Sequence, residues 1–230
     1  RKFSSILVPQ LTKLEMLPVL DKIRGVHIRV AESSRNGSCN REHTLRNCLK
    51  FTPIEFDILS LDDGCSILSA SLFSDELVIH EGQKDIVEIS LNVYDSMHNH
   101  VAQIKHPISG MKVYELNESS DAELGIRSCI EGNEVCPLEK RCHHGLFIQC
   151  RSTGCCYAKS KWEMKTLGGS IANISPKSSF FSGTSVTASW ESGVDNESRL
   201  VALSTALVQL IREGSPALVQ TIKNCHVRHG

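Results

Sequence analysis

The chain has 230 residues, enough for one large domain or two small ones with a buried core. Its 25 Lys and Arg are balanced by 26 Asp and Glu, so it lacks the basic footprint of a nucleic-acid-binding protein, and no nucleic-acid partner is expected. No run of about 18 apolar residues occurs, which excludes an ordinary membrane-spanning helix.

The chain opens at Arg1 with neither a methionine nor a signal peptide, as if a leader or N-terminal region had been removed. In "SSILVPQLTKLEMLPVLDKI", Leu7, Leu11 and Leu14 fall at helical spacing. Pro9 and Pro18 limit any helix there to about three turns. Residues 1–20 therefore read as a short helix or an extended lead-in.

From there, period-two alternation dominates, as expected for half-buried strands. "VHIRV" (26–30) puts Val26, Ile28 and Val30 on one face. "IEFDIL" (54–59) alternates Ile54, Phe56 and Ile58 with Glu55 and Asp57. "IVEISLNV" (86–93) alternates Val87, Ile89, Leu91 and Val93 with Glu88, Ser90 and Asn92. "HVAQIK", "MKVYEL", "LFIQC" and "SVTASW" are shorter candidates. Turn signals lie between them: Asp62-Asp63-Gly64, Asp95 to Asn99, Ser109-Gly110 and Gly168-Gly169. "FDILSLDDGCSIL", "ISLNVYDSMHNHVAQI" and "WEMKTLGGSIANI" each read as strand, turn and return strand. A long run of antiparallel hairpins removes its edges most easily by closing into a barrel.

Ten cysteines are present, and "CPLEKRCHHGLFIQC" gathers Cys136, Cys142, His143, His144 and Cys150. Thiolate and imidazole suit zinc, which makes Cys136, Cys142, His143 and Cys150 zinc candidates, but the spacing is not that of paired C-x₂-C sites. Disulfides within the cluster and free thiols are the other readings. The adjacent pair Cys155 and Cys156 suits acylation, because stable anchoring takes two lipid signals. Four Asn-x-Ser sequons, at Asn36, Asn117, Asn173 and Asn196, would matter only in a secreted chain. His98, His100 and His106 read as polar turn residues. Serine, histidine and aspartate occur in number, but nothing in the spacing pairs them. No Gly-x-Ser-x-Gly, P-loop or His-Glu-x-x-His motif occurs, so no hydrolase is expected.

One segment departs from alternation. "DNESRLVALSTALVQLIREGSP" (195–216) reads as a helix, with Asp195 or Asn196 at its cap and Gly214 and Pro216 at its stop. Leu200, Val201, Leu203, Leu207, Val208, Leu210 and Ile211 cover most of its circumference, interrupted by Ser204, Thr205 and Gln209. The stretch 200–211 is about 18 Å long at ~1.5 Å per residue, short of a hydrocarbon core of ~30 Å. The expected fold is thus a closed antiparallel β-barrel of about twelve strands around a buried C-terminal hydrophobic helix. In that arrangement, residues 21–214 form the barrel, 198–212 the central helix and 215–230 a tail.

Several segments, in order, resemble the phospholipid scramblases of the tubby C-terminal-like superfamily. "CNREHTLRNCLKF" (39–51) resembles the Cys-containing loop before the family's first long hairpin. "MKVYELNE" (111–118) followed by "LGIRSC" (124–129) is similar to a strand pair of that family. "CRSTGCC" (150–156) stands where the family has a Cys-rich segment. "WEMKTL" (162–167) and "IANIS" (171–175) resemble the hairpin that follows, and "SRLVALSTALVQLI" (198–211) the apolar C-terminal helix. The resemblance covers most of residues 5–213. It implies a membrane-associated protein on the cytosolic face that binds phospholipids or moves them between leaflets, with Leu200, Leu203, Leu207, Leu210 and Ile211 as the lipid or core helix. It also places a calcium region before the helix, where the acids are Glu191, Asp195 and Glu197. Asp195 and Glu197 become the calcium candidates, although Ca²⁺ wants ~6 to 8 oxygen ligands. The family's run of adjacent cysteines is absent from "SDELVIHEGQKD", and its basic stretch is absent around Ile174 to Ser178. The chain reads as a divergent member with a weakened or lost calcium response and no certain cofactor. A soluble protein-interaction module on the same barrel, in the cytoplasm, and a secreted disulfide-linked glycoprotein are the other readings.

Overall fold

The structure is a computed structural model, and it describes residues 13–31, 53–92, 100–118, 124–142, 160–166, 169–179, 183–214 and 219. Twelve strands form a closed barrel: β1 (Gly25–Val30), β2 (Ile54–Ser60), β3 (Ser66–Phe73), β4 (Glu76–Glu81), β5 (Lys84–Leu91), β6 (His100–Lys105), β7 (Lys112–Glu118), β8 (Leu124–Ser128), β9 (Glu134–Cys142), β10 (Ser160–Thr166), β11 (Gly169–Ser179) and β12 (Gly183–Trp190). Each strand pairs antiparallel with its chain neighbours. The barrel closes where β1 lies between β2 and β12, with Ile28 opposite both Ile58 and Val186.

Alternation is what positions the core. In β2, Ile54, Phe56 and Ile58 are buried, and Glu55 and Asp57 turn outward. The same division runs through β3 to β6. Beside the β12 backbone, Gly25 has no room for a side chain. A Cβ there would lie 2.4 Å from the Ala188 carbonyl oxygen. Three strands, β4, β8 and β9, were not expected from alternation, and β8 was given only by the resemblance. β4 carries the short apolar run Leu77-Val78-Ile79, and β9 carries Cys136 and Pro137 within the cysteine cluster. "LFIQC", the turn residue His98 and the loop 39–51 lie outside the described residues.

Inside the barrel runs helix α2 (Asn196–Gly214), 19 residues or about 28 Å at ~1.5 Å per residue. Every residue from Arg199 to Ile211 is buried, on all faces of the helix, so the sheet surrounds it. It runs closest to β11 and β12. Two of its polar residues satisfy themselves along the helix. Ser204 Oγ donates to the Leu200 carbonyl at 2.8 Å and Thr205 Oγ1 to the Val201 carbonyl at 2.8 Å. Gln209 is buried with neither amide atom paired.

Before β1, a short helix α1 (Pro18–Asp21) is opened rather than stopped by Pro18, which stands in its first turn where no N–H is needed. Leu14, Leu17 and Leu20 join the core. Leu7, Leu11 and Pro9 lie outside the described residues.

Enclosure of α2 has a direct consequence for stability. Leu203 and Leu207 are both 0 % exposed. Leu203→Asp or Leu207→Asp would bury a charge at a cost of several kcal/mol, against a total stability of ~5–15 kcal/mol. Far-ultraviolet circular dichroism of either variant should show an unfolded chain. A folded variant would mean that α2 is not enclosed.

Candidate functional site

The start of α2 is the most polar point of the interior, and the N-terminal segment is fastened to it. Asn196 is 5 % exposed. Its Oδ1 accepts from the Leu17 amide at 2.7 Å, and its Nδ2 donates to the Leu17 carbonyl at 2.7 Å and to Asp21 Oδ1 at 2.9 Å. Arg199, also buried, donates through Nη1 to the Leu20 carbonyl at 2.6 Å and lies 3.5 Å from Asp21. Trp190 Nε1 donates to the Ile23 carbonyl at 2.8 Å. Thus Leu14, Leu17 and Leu20 close one end of the barrel, and buried polar side chains hold them there. The sequence showed Asn196 as a cap or sequon residue, and in the fold it is closed to glycosylation.

The calcium candidates are committed to other tasks. Asp195 caps α2: its carboxylate accepts from the Ser198 amide at 2.9 Å and from Ser198 Oγ at 2.6 Å. Burial alone would push that carboxyl up, and the hydrogen bonds from Ser198 outweigh it and hold it below its ordinary value. Glu197 accepts from Tyr114 Oη at 2.8 Å. Burial and the Glu197 carboxylate together push the Tyr114 phenol well above its ordinary range. Glu191 is exposed on the turn after β12. Among the described residues, no three His, Cys, Asp or Glu side chains gather around a metal position.

Of the zinc candidates, Cys136 is buried in β9, where its Sγ donates to the Lys165 carbonyl at 3.0 Å. Burial pushes its thiol up to about 11, the opposite of what a thiolate ligand needs. Cys142 ends β9 opposite Ser160. His143, His144, Cys150 and the acylation candidates Cys155 and Cys156 lie outside the described residues. Cys65, Cys129 and Cys136 are free thiols. His106 is buried, and its Nδ1 accepts from the amides of Ile108 and Ser109 at 3.3 and 3.4 Å, shaping the β6–β7 turn.

The five residues read as a lipid or core helix, Leu200, Leu203, Leu207, Leu210 and Ile211, are all buried in the barrel core. Apolar side chains reach solvent elsewhere. Met16, Leu61, Ile108 and Ile130 are exposed at the end closed by α1, ahead of β1 and on the β2–β3, β6–β7 and β8–β9 turns, and Phe73 is exposed at the opposite end, where β3 turns into β4.

The expectation that nothing pairs serine, histidine and aspartate does not hold. On the outward face, Ser71 Oγ lies 2.8 Å from His80 Nε2, and His80 Nδ1 lies 2.7 Å from Asp85 Oδ1. The three residues come from β3, β4 and β5, so spacing along the chain carries no sign of the contact. Compared with known proteins, the chain matches no protein-family model, no curated protein and no solved structure.

Two outcomes follow for the fastened end. Asn196→Leu strands the Leu17 amide, while the Leu17 carbonyl keeps its bond from the Leu20 amide at 2.9 Å, and a buried group left unpaired costs about 1–3 kcal/mol. The denaturation midpoint should fall, and limited proteolysis should cut ahead of β1 faster than in the wild type. Unchanged proteolysis would show that the amide does not hold the segment. Asp195→Ala should cost ~0.5–2 kcal/mol at neutral pH as a lost cap. Because the folded carboxyl is depressed, its contribution is present above the ordinary value of about 3.9 and is lost as pH falls through the folded value. Urea titrations at neutral and low pH should therefore show the gap between wild type and variant closing in acid.

Proposed function

We propose that this chain is a scramblase-like, membrane-associated lipid-binding protein that works on a phospholipid surface at the cytosolic side. The observation that carries this reading is the apolar helix wholly enclosed by a closed twelve-stranded barrel, the arrangement that the resemblance implies. Free thiols at Cys65, Cys129 and Cys136 support a reducing compartment.

The fold also constrains how such a protein would act. Glu55, Asp57, Glu88, Gln103, Lys105 and Glu163 lie on the outward side of their strands, between buried neighbours. A barrel with that exterior does not sit in hydrocarbon, where outward charges are destabilising. Its interior is filled by α2, so an acyl chain has no room there without displacing the helix. No helix among the described residues is long and apolar enough to cross a membrane. Contact with lipid therefore falls to the barrel end that carries Met16, Leu61, Ile108 and Ile130. Ile108 is 77 % and Met16 68 % exposed, and burying such a side chain in an apolar phase is worth up to ~1.5–3 kcal/mol. Calcium is not required in this reading, since Asp195 and Glu197 already have partners.

Vesicle flotation and a leaflet-exchange assay with fluorescent phospholipid test the proposal. The full chain should float with phosphatidylserine-containing vesicles, equally with calcium and with chelator. Ile108→Glu combined with Ile130→Glu should reduce the floated fraction several-fold without lowering the melting temperature. If the wild-type chain stays with the soluble fraction under both conditions, the reading fails, and the same barrel is better taken as a protein-interaction module.

A further inference from the structure

The outward face of β3, β4 and β5 carries a hydrogen-bonded relay that the lipid-surface reading does not use. Two features of the sheet build it. The β4–β5 hairpin turns in two residues, Gly82 and Gln83, with Gly82 at φ +63°, and this sets His80 opposite Asp85. One step further the register shifts, so that Ile79 faces Val87 and Ile86 is the extra residue. The bulge reconciles two demands. Near the turn, Asp85 shares the outward face with His80. Beyond it, Val87, Ile89 and Leu91 point into the core, and Ile86 is buried as well. On the neighbouring strand, Ser71 is opposite Val78, so it meets His80 diagonally on the same face.

The hydrogen bonds also order the protons. A carboxylate can only accept, so Asp85 Oδ1 accepts the hydrogen bond from His80 Nδ1–H, and in the neutral imidazole Nε2 is then the bare nitrogen that accepts from Ser71 Oγ–H. That is the order a serine nucleophile needs: hydroxyl, base, and a carboxylate that fixes the base's tautomer. Ser71 and His80 are half-buried and Asp85 is exposed, so a small reagent can reach the hydroxyl. Glu55 stands opposite Ser71 on β2 and is a second carboxylate beside the histidine; burial pushes its carboxyl up, and His80 pulls it the other way.

We propose that Ser71 is an activated nucleophile that accepts acyl or phosphonyl groups from activated esters, with His80 as its base and Asp85 as the positioning residue. In the acyl step, Ser71 Oγ forms a bond to the carbonyl carbon as its proton passes to His80 Nε2. The bond to the leaving alkoxide then breaks, and the alkoxide takes that proton, giving an acyl-serine and a free alcohol. On this face the developing oxyanion is met by water, so reaction favours donors with good leaving groups, and a stable adduct is a better reporter than turnover.

The test uses the full chain and a fluorophosphonate probe, whose phosphorus bonds to Ser71 Oγ as fluoride leaves. Peptide mapping should find one adduct per native chain, on Ser71, and none on Ser71 after unfolding in urea. Labelling should vanish in Ser71→Ala and fall about 100-fold in His80→Gln, the lower end of a positioned base's contribution. It should fall in Asp85→Asn and return in Asp85→Glu, a rescue that a merely structural role would not produce. Should Ser71→Ala fail to fold, Ser71→Cys serves in its place. It should react with iodoacetamide faster than the Ser71→Cys/His80→Gln double variant. Labelling spread over several serines, absent from Ser71 in the native chain, or unchanged in His80→Gln would overturn the proposal. None of these outcomes depends on whether the chain binds vesicles.

Discussion

A helix with apolar side chains in every direction needs cover in every direction, and α2 obtains it from a sheet closed on itself. Most other features follow from that demand. A flat sheet would cover one face of the helix and leave two edges with unpaired backbone groups. Closing β1 onto β12 removes the edges and supplies the missing cover in one step. Because α2 fills the interior, the inward positions of the strands are mostly apolar, from Val26 and Ile28 in β1 to Val186 and Ala188 in β12, with Ser60 and Ser128 buried at the ends of β2 and β8. Two of the polar residues within the helix meet the same constraint. Ser204 and Thr205 are tolerated because each hydroxyl returns its hydrogen bond to the carbonyl one turn back.

A closed barrel still has two open ends, and the start of α2 lies at one of them. That is where the chain spends its buried polar groups. The N-terminal segment places Leu14, Leu17 and Leu20 over the opening, and the carbonyls and amides that this brings indoors need partners. Asn196 can accept and donate at once, which suits it to the paired groups of Leu17, and Arg199 serves Leu20. Asp195 is left free to cap the helix, with negative charge at the positive end of its dipole. The same end carries exposed aliphatic turn tips, so this apolar surface lies next to the fastening that closes the barrel.

The outer face answers to a different rule. It is bound neither by α2 nor by packing, so its residues pair with each other across strands. Arg29 meets Asp57 at 3.1 Å and Lys105 meets Glu88 at 3.0 Å. Most such pairs are worth little in water. Ser71, His80 and Asp85 form by the same cross-strand geometry, but their chemistry differs, since a neutral hydroxyl is aimed at a base whose other nitrogen is already engaged.

What the sequence determined by itself is the fold class, because the forces behind it are local and periodic. Alternation in "IEFDIL" and "VHIRV" named the buried faces of β2 and β1 before any partner strand was known. The all-round apolar character of 200–211 implied a helix that must be enclosed. Where periodicity was interrupted, the reading fell short. β4 hides its alternation in a three-residue apolar run, β9 was masked by its cysteines, and Ile86 is buried through a bulge that no period can encode. Tertiary structure alone decided which distant residues meet. Asn196 and Leu17 are 179 residues apart, and a side-chain amide carries no mark of the backbone it will bind. Likewise, the register of three strands, set by one tight turn and one bulge, brought Ser71, His80 and Asp85 into hydrogen-bonding distance. Contacts of that kind depend on strand offset, and offset is fixed only when the whole sheet closes around its helix.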